Sequence, residues 1–147
     1  MLVPFQDAET FNAPLVSAEG NTPLGEAVLL ALDMIENEKI NLTKLNYHRP
    51  WLFVMSDGAP TDAKAWTDAC QRANEAIQAK KVTVFAIAVD NGNTAELQKL
   101  TSRSVEKMDS ARFEEYFIWL SNSMAAAGNS GEANPPMASG RDDWATA

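Results

Sequence analysis

The chain has 147 residues, 46% hydrophobic and 22% charged, with 12 basic and 20 acidic side chains and a net charge of −8. That length and apolar share fit one globular domain with a real core, and the acid excess argues against a nucleic-acid backbone binder, which needs a basic face. No apolar run could span a bilayer, the start MLVPFQDAETF lacks the basic and apolar regions of a secretion signal, and the single Cys70 can neither close an internal disulfide nor seed a zinc cluster.

The first element is a helix from about Pro23 to Glu38. Leu24, Val28, Leu32 and Ile35 fall on one face of it, and Thr22-Pro23 is a start signal, a capping hydroxyl followed by proline at the first helical position. Trp51-Leu-Phe-Val-Met55 follows as a continuous apolar strand that ends in Ser56-Asp57-Gly58. The spacing of Ala65, Ala69, Ala73, Ala76 and Ile77 predicts a helix within Asp62 to Lys80. Val82 to Val89 is a second strand, rich in β-branched residues and closed by Asp90-Asn91-Gly92. Neither strand alternates, the mark of strands covered on both faces of a parallel sheet. Strand, helix and strand at this length make a βαβ unit.

Thr94 to Leu100 then reads as a short helix and Val105 to Met108 as a weak edge strand. Ala111 to Ala127 reads as a long helix with Phe113, Tyr116, Phe117 and Leu120 on its inner side. Residues 128–147 are small, polar and rich in proline and glycine, a composition that cannot bury enough apolar surface to offset its ordering entropy. A disordered tail is expected there, after a folded unit at 1–127.

In open α/β sheets, ligands bind at the carboxyl ends of the strands. Asp57 and Asp90 stand at two such ends, and the loop before the first helix adds the Thr22 hydroxyl. Carboxylate and hydroxyl oxygens together suit a hard cation, magnesium or manganese. The other chemistry-bearing residues have plainer roles. Asp62 is expected to cap the helix that follows it, His48 to lie on the surface, Cys70 to pack as a small hydrophobe and Trp119 to sit in the core. Ser56 lacks the G-x-S-x-G frame of a nucleophile elbow.

Gly20-Asn-Thr-Pro-Leu-Gly25-Glu26, followed by Arg49-Pro-Trp-Leu-Phe-Val-Met-Ser-Asp57-Gly-Ala-Pro-Thr-Asp62, resembles the second and third metal-site motifs of the von Willebrand factor A (vWA) family. The wording is similar to that of bacterial vWA proteins associated with tellurium resistance, and the helix around Phe113 to Ser123 fits that group. The resemblance implies a Rossmann-like α/β fold with a mostly parallel sheet flanked by helices. It also implies a metal-ion-dependent adhesion site in which Thr22 and Asp57 are ligands and a partner protein's acidic side chain completes the shell. The family's remaining ligands come from an Asp-x-Ser-x-Ser loop, and this sequence contains none. The chain starts near the family's third strand, so the family's first strand, first helix and second strand are expected to be missing.

The function expected is therefore a cytoplasmic, non-enzymatic, metal-assisted protein-binding module. Its metal site would be incomplete and weak, and its open sheet edge would invite self-association. A scaffold that binds no metal, or a magnesium-dependent phosphohydrolase, remain the alternatives. No phosphate-binding signature supports the latter.

Overall fold

In the computed structural model, chain order runs α1 (Leu24–Asn41), β1 (Trp51–Ser56), α2 (Ala63–Gln78), β2 (Thr83–Val89), α3 (Thr94–Leu97), β3 (Glu106–Met108), α4 (Phe113–Ser130) and β4 (Ala145–Thr146). The structure describes residues 3–15, 20–41, 48–130 and 145–146. The four strands form one sheet in the order β1-β2-β3-β4. β1 and β2 pair in parallel, with Trp51 beside Thr83 and Ser56 beside Ala88. β3 joins β2 in parallel and β4 closes on β3 antiparallel. The expected α/β architecture, a mostly parallel sheet flanked by helices, is what forms.

Side chains alternate across the sheet, and each face has its own core. Val54, Val84, Ala86 and Ala88 point toward α1 and α2 and pack with Val28, Leu32, Ile35, Trp66, Ala69 and Ala73. Ile87 and Met108 point the other way, against Tyr116 and Trp119 of α4, with Phe53 and Met55 alongside. The α1 stripe read from the sequence is thus the buried one. On α2 the alanines let the two helices approach closely, and Gly25 marks the crossing. A Cβ there would stand 2.2 Å from the Trp66 backbone nitrogen, so only glycine fits.

The structure departs from the sequence reading at the end of α1, which runs past Glu38 to Asn41, at β3, which is not an edge because β4 pairs on its outer side, and along α4 and the stretch after it. α4 begins two residues later, after a single 3₁₀ turn at Ser110–Arg112, and runs on to Ser130, past the expected end at Ala127. Its inner face is rotated: Tyr116, Trp119, Ser123 and Ala127 are buried, whereas Phe113 and Phe117 are exposed at 39% and 55%. In the stretch read as a disordered tail, 128–130 are helical and Ala145–Thr146 pairs with Lys107 and Met108; the rest of it lies outside the described residues. No helix among the described residues is long and apolar enough to cross a membrane.

Candidate functional site

The carboxyl ends of the strands are ringed by loops that are hydrogen-bonded to one another. After β1 the chain turns at Gly58, whose φ of +73° suits glycine, and whose added Cβ would meet the Asn93 carbonyl at 2.7 Å. The Ser56 hydroxyl accepts the Gly58 N–H at 3.1 Å, and Asp57 Oδ1 accepts the Ala59 N–H at 3.2 Å, so side chains define this turn. The Asp57 carbonyl in turn accepts the Asn93 N–H at 2.6 Å, tying the β1 loop to the loop after β2. The Asp57 carboxylate itself is exposed at the rim.

The loop before α1 reaches the same rim. The Thr61 N–H donates to the Thr22 carbonyl at 3.0 Å, which holds the Thr22 loop against the β1–α2 loop. The structure therefore brings together the two loops that carry Thr22 and Asp57. Thr22, however, is not the cap of α1. The first intrahelical bond runs from the Ala27 N–H to the Pro23 carbonyl, so Pro23 occupies the cap position and Thr22 lies one residue outside. Proline has no side chain able to accept, and Asp62 takes over: its two oxygens accept the Gly25 N–H at 3.1 Å and the Glu26 N–H at 2.8 Å.

That is a correction to the expectation that Asp62 caps its own helix; its side chain makes no bond to the start of α2. Partial burial works against the charged form of Asp62. The amides of Glu26 and Gly25 outweigh it and hold the carboxyl below its ordinary range. With the cap supplied by Asp62, the exposed Thr22 hydroxyl is not spent on the helix.

Asp90 is engaged elsewhere. Its Oδ1 accepts the Ser110 N–H at 2.8 Å, binding the end of β2 to the entry of α4, which leaves it holding backbone and not swung toward Asp57. Asn93, which the sequence reading passed over, joins the rim twice: its backbone N–H holds the Asp57 carbonyl, and its side chain accepts the Glu96 N–H at 3.0 Å to cap α3. The Asn93-Thr-Ala-Glu96 spacing of a capping box was the available signal. Glu96 does not complete the box. It accepts from Trp66 Nε1 at 2.6 Å and pairs with Lys99 at 2.7 Å, and the Lys99 ammonium is the main reason its carboxyl is held low.

The remaining candidates fall where expected. His48 is exposed and Trp119 is buried. Cys70 is half-buried, and burial, reinforced by Glu96, pushes its thiol up to about 11, so it is no nucleophile near neutral pH. A groove of about 890 Å³ opens at the opposite end of the sheet, between the last turns of α1 and α2, where Lys39, Arg49, Lys80 and Lys81 gather. It shares no residue with the Asp57 rim.

For a divalent ion the rim supplies the exposed Asp57 carboxylate, one oxygen of which already accepts the Ala59 N–H, and the uncommitted Thr22 hydroxyl. Among the described residues no three His, Cys, Asp or Glu side chains converge. Magnesium prefers six oxygens and keeps several of them as water. The donor set therefore fits a largely hydrated, weakly held ion and not a tight protein cage. The sequence model of the von Willebrand factor type A domain matches residues 8–118, which includes both loops and the strands that carry them. Neither the curated proteins nor the solved structures gave a significant match. Together, the α/β sheet, the paired loops at its carboxyl end and the extent of that match mean that the chain belongs to the von Willebrand factor type A domain family.

Proposed function

We propose that the chain is a non-enzymatic protein-interaction module whose contact point is the rim around Asp57. Thr22 and Asp57 would contribute the protein oxygens of a magnesium or manganese site, directly or through water. The ion, when bound, supplies an open coordination position for an acidic side chain of the partner. The observation that carries this reading is the bond from the Thr61 N–H to the Thr22 carbonyl, which seats the hydroxyl-bearing loop on the loop that begins with Asp57. The capping of α1 by Asp62 supports it further, because it leaves the Thr22 hydroxyl available.

With no Asp-x-Ser-x-Ser in the sequence and no cluster of three His, Cys, Asp or Glu side chains among the described residues, the affinity of the chain alone should be millimolar or weaker, on the order expected for so few ligands. The wording of the Thr22 and Asp57 motifs makes tellurite or general stress resistance the setting we favour. A scaffold role without metal is the second reading, favoured by the lack of any three-residue acidic cluster among the described residues. Titration calorimetry with magnesium and manganese separates the two. Weak binding that Asp57→Ala removes supports the metal-assisted module, no heat at any concentration supports the scaffold, and tight binding untouched by Asp57→Ala overturns both.

A further inference from the structure

We propose that the amino end of the sheet carries a site for a tetrahedral dianion, the form a phosphoryl group takes near neutral pH, held by the guanidinium groups of Arg49 and Arg103. It lies at the far end of the strands from the Asp57 rim and does not depend on the metal reading. Arg49, Arg103, Thr83 and Ser102 line a cavity of about 150 Å³ there, together with the apolar Ile77 and Val82. That volume is below the roughly 300–1,000 Å³ of clefts that take a whole small molecule, and it suits one compact group. The cavity opens beside the first half of β2, where β3 has not yet begun, since β3 pairs with β2 only from Ile87 onward.

In a chain of net charge −8, a cation without an acidic neighbour stands out. Lys64, Arg72, Lys81 and Lys99 are in ion pairs. Arg49 and Arg103 have no carboxylate partner among the described residues, and none of the residues lining the cavity is acidic. A guanidinium keeps its charge at any physiological pH. Two of them around one small cavity cost free energy until an anion joins them.

The donors are in place before any anion arrives. The Thr101 hydroxyl donates to the Val84 carbonyl at 2.8 Å and accepts the Arg103 N–H at 3.1 Å. The Gln98 side chain donates to the Thr101 and Arg103 carbonyls at 2.9 and 2.8 Å, which fixes the 101–103 turn. The Arg103 guanidinium rests on the Phe85 ring, 4.8 Å from its centre. Thr83 is buried at 7% exposure, and nothing among the described residues engages its hydroxyl. Its N–H is spent on the Pro50 carbonyl, so alternation turns the Val84 N–H the other way, to the side of the carbonyl that Thr101 holds. Among the described residues no strand lies there to accept it. Every polar group around the cavity can thus donate, which selects an unprotonated anion. A planar carboxylate fills one guanidinium fork, whereas a tetrahedral dianion has oxygens for both forks and matches their two charges.

The test is a titration of the ¹⁵N-labelled full chain in chelator, so that no metal is bound and failure of the metal reading leaves it unaffected. Inorganic phosphate, O-phosphoserine, sulfate and acetate are added in turn at constant ionic strength. Phosphate or O-phosphoserine should shift the amides of Val84, Ser102 and Arg103 and the Nε–H signals of both arginines along saturating curves, and acetate should not. O-phosphoserine should weaken about fourfold between pH 7 and 5.5, as its phosphate gains a proton at about pH 6. Sulfate, a dianion throughout, should bind without that dependence. Arg49→Gln and Arg103→Gln should each weaken binding about tenfold. Lys64→Gln, which removes an equal charge from an exposed position on α2, should leave it unchanged. Binding of phosphate alone marks a free-phosphate site and binding of O-phosphoserine a monoester site, and either supports the proposal. Shifts that never saturate, shifts centred on other residues, acetate held as tightly as phosphate, or an affinity indifferent to both arginine variants would overturn it.

Discussion

Replacing Asp62 by alanine removes a helix cap supplied from 36 residues away, and its cost can be worked from the contacts. The substitution leaves the Gly25 and Glu26 N–H groups at the start of α1 without their acceptors, now 3.1 and 2.8 Å distant. It also removes a negative charge from the positive end of the helix dipole. Loss of a capping side chain costs typically about 1 kcal/mol, and a charged acceptor serving two amides belongs in the upper part of the range, about 1–2 kcal/mol. For a domain of this size that is a fall in Tm of roughly 3–7 °C.

The folded-state pKa of Asp62 lies below its ordinary 3.8. Its contribution is therefore complete above that ordinary value and fades as pH falls through the lower, folded one. Thermal melts of wild type and Asp62→Ala should differ most at neutral pH and converge in strong acid. Thr22→Ala serves as the control and should cost less than about 0.5 kcal/mol, as for a surface residue without a structural role. A melt of Asp62→Ala equal to wild type at pH 7, or a loss from Thr22→Ala as large as that from Asp62→Ala, would refute the assignment of the cap.

Three further outcomes are expected. Gly25→Ala should be among the most damaging single-methyl additions, since the new Cβ would meet the Trp66 backbone at 2.2 Å; urea unfolding should show a loss of about 3 kcal/mol or more. Trp66→Phe keeps the buried ring but removes the bond from Nε1 to Glu96, and should cost about 1.5–3 kcal/mol in the same assay. Cys70, its thiol pushed up to about 11, should react with iodoacetamide far more slowly at pH 8 than a free thiol, the rate climbing until the pH passes that value.

How far the fold could be read in the chain depended on the range of the forces at each element. β2 was legible because both its faces are covered, which writes an unbroken apolar run into the sequence; β1 carries the same kind of run, but apart from Val54 its side chains are only half-buried. The stripe of Val28, Leu32 and Ile35 was legible for the same local reason. α4 was misread because Phe113, Tyr116, Phe117, Ile118, Trp119 and Leu120 leave hardly a polar side to orient it. Packing against Ile87 and Met108 chose Tyr116 and Trp119. Nothing local announces the two-residue pairing of β4 with β3. At the rim, Asp57 was evident as a carboxylate at a strand end. The passage of the α1 cap from Thr22 to Asp62 was not, because it turns on a one-residue shift of the helix start and a tertiary bond.

The central claim, an ion held between the Thr22 and Asp57 loops, is tested most directly by paramagnetic relaxation with manganese. In a ¹⁵N-labelled sample titrated with Mn²⁺, the amides of residues 20–25 and 57–61 should broaden first, and Asp57→Ala should abolish the effect. Lys80 and Lys81, at the far end of the sheet, should stay sharp. Broadening centred on any other acidic segment, or unchanged in Asp57→Ala, would contradict the account.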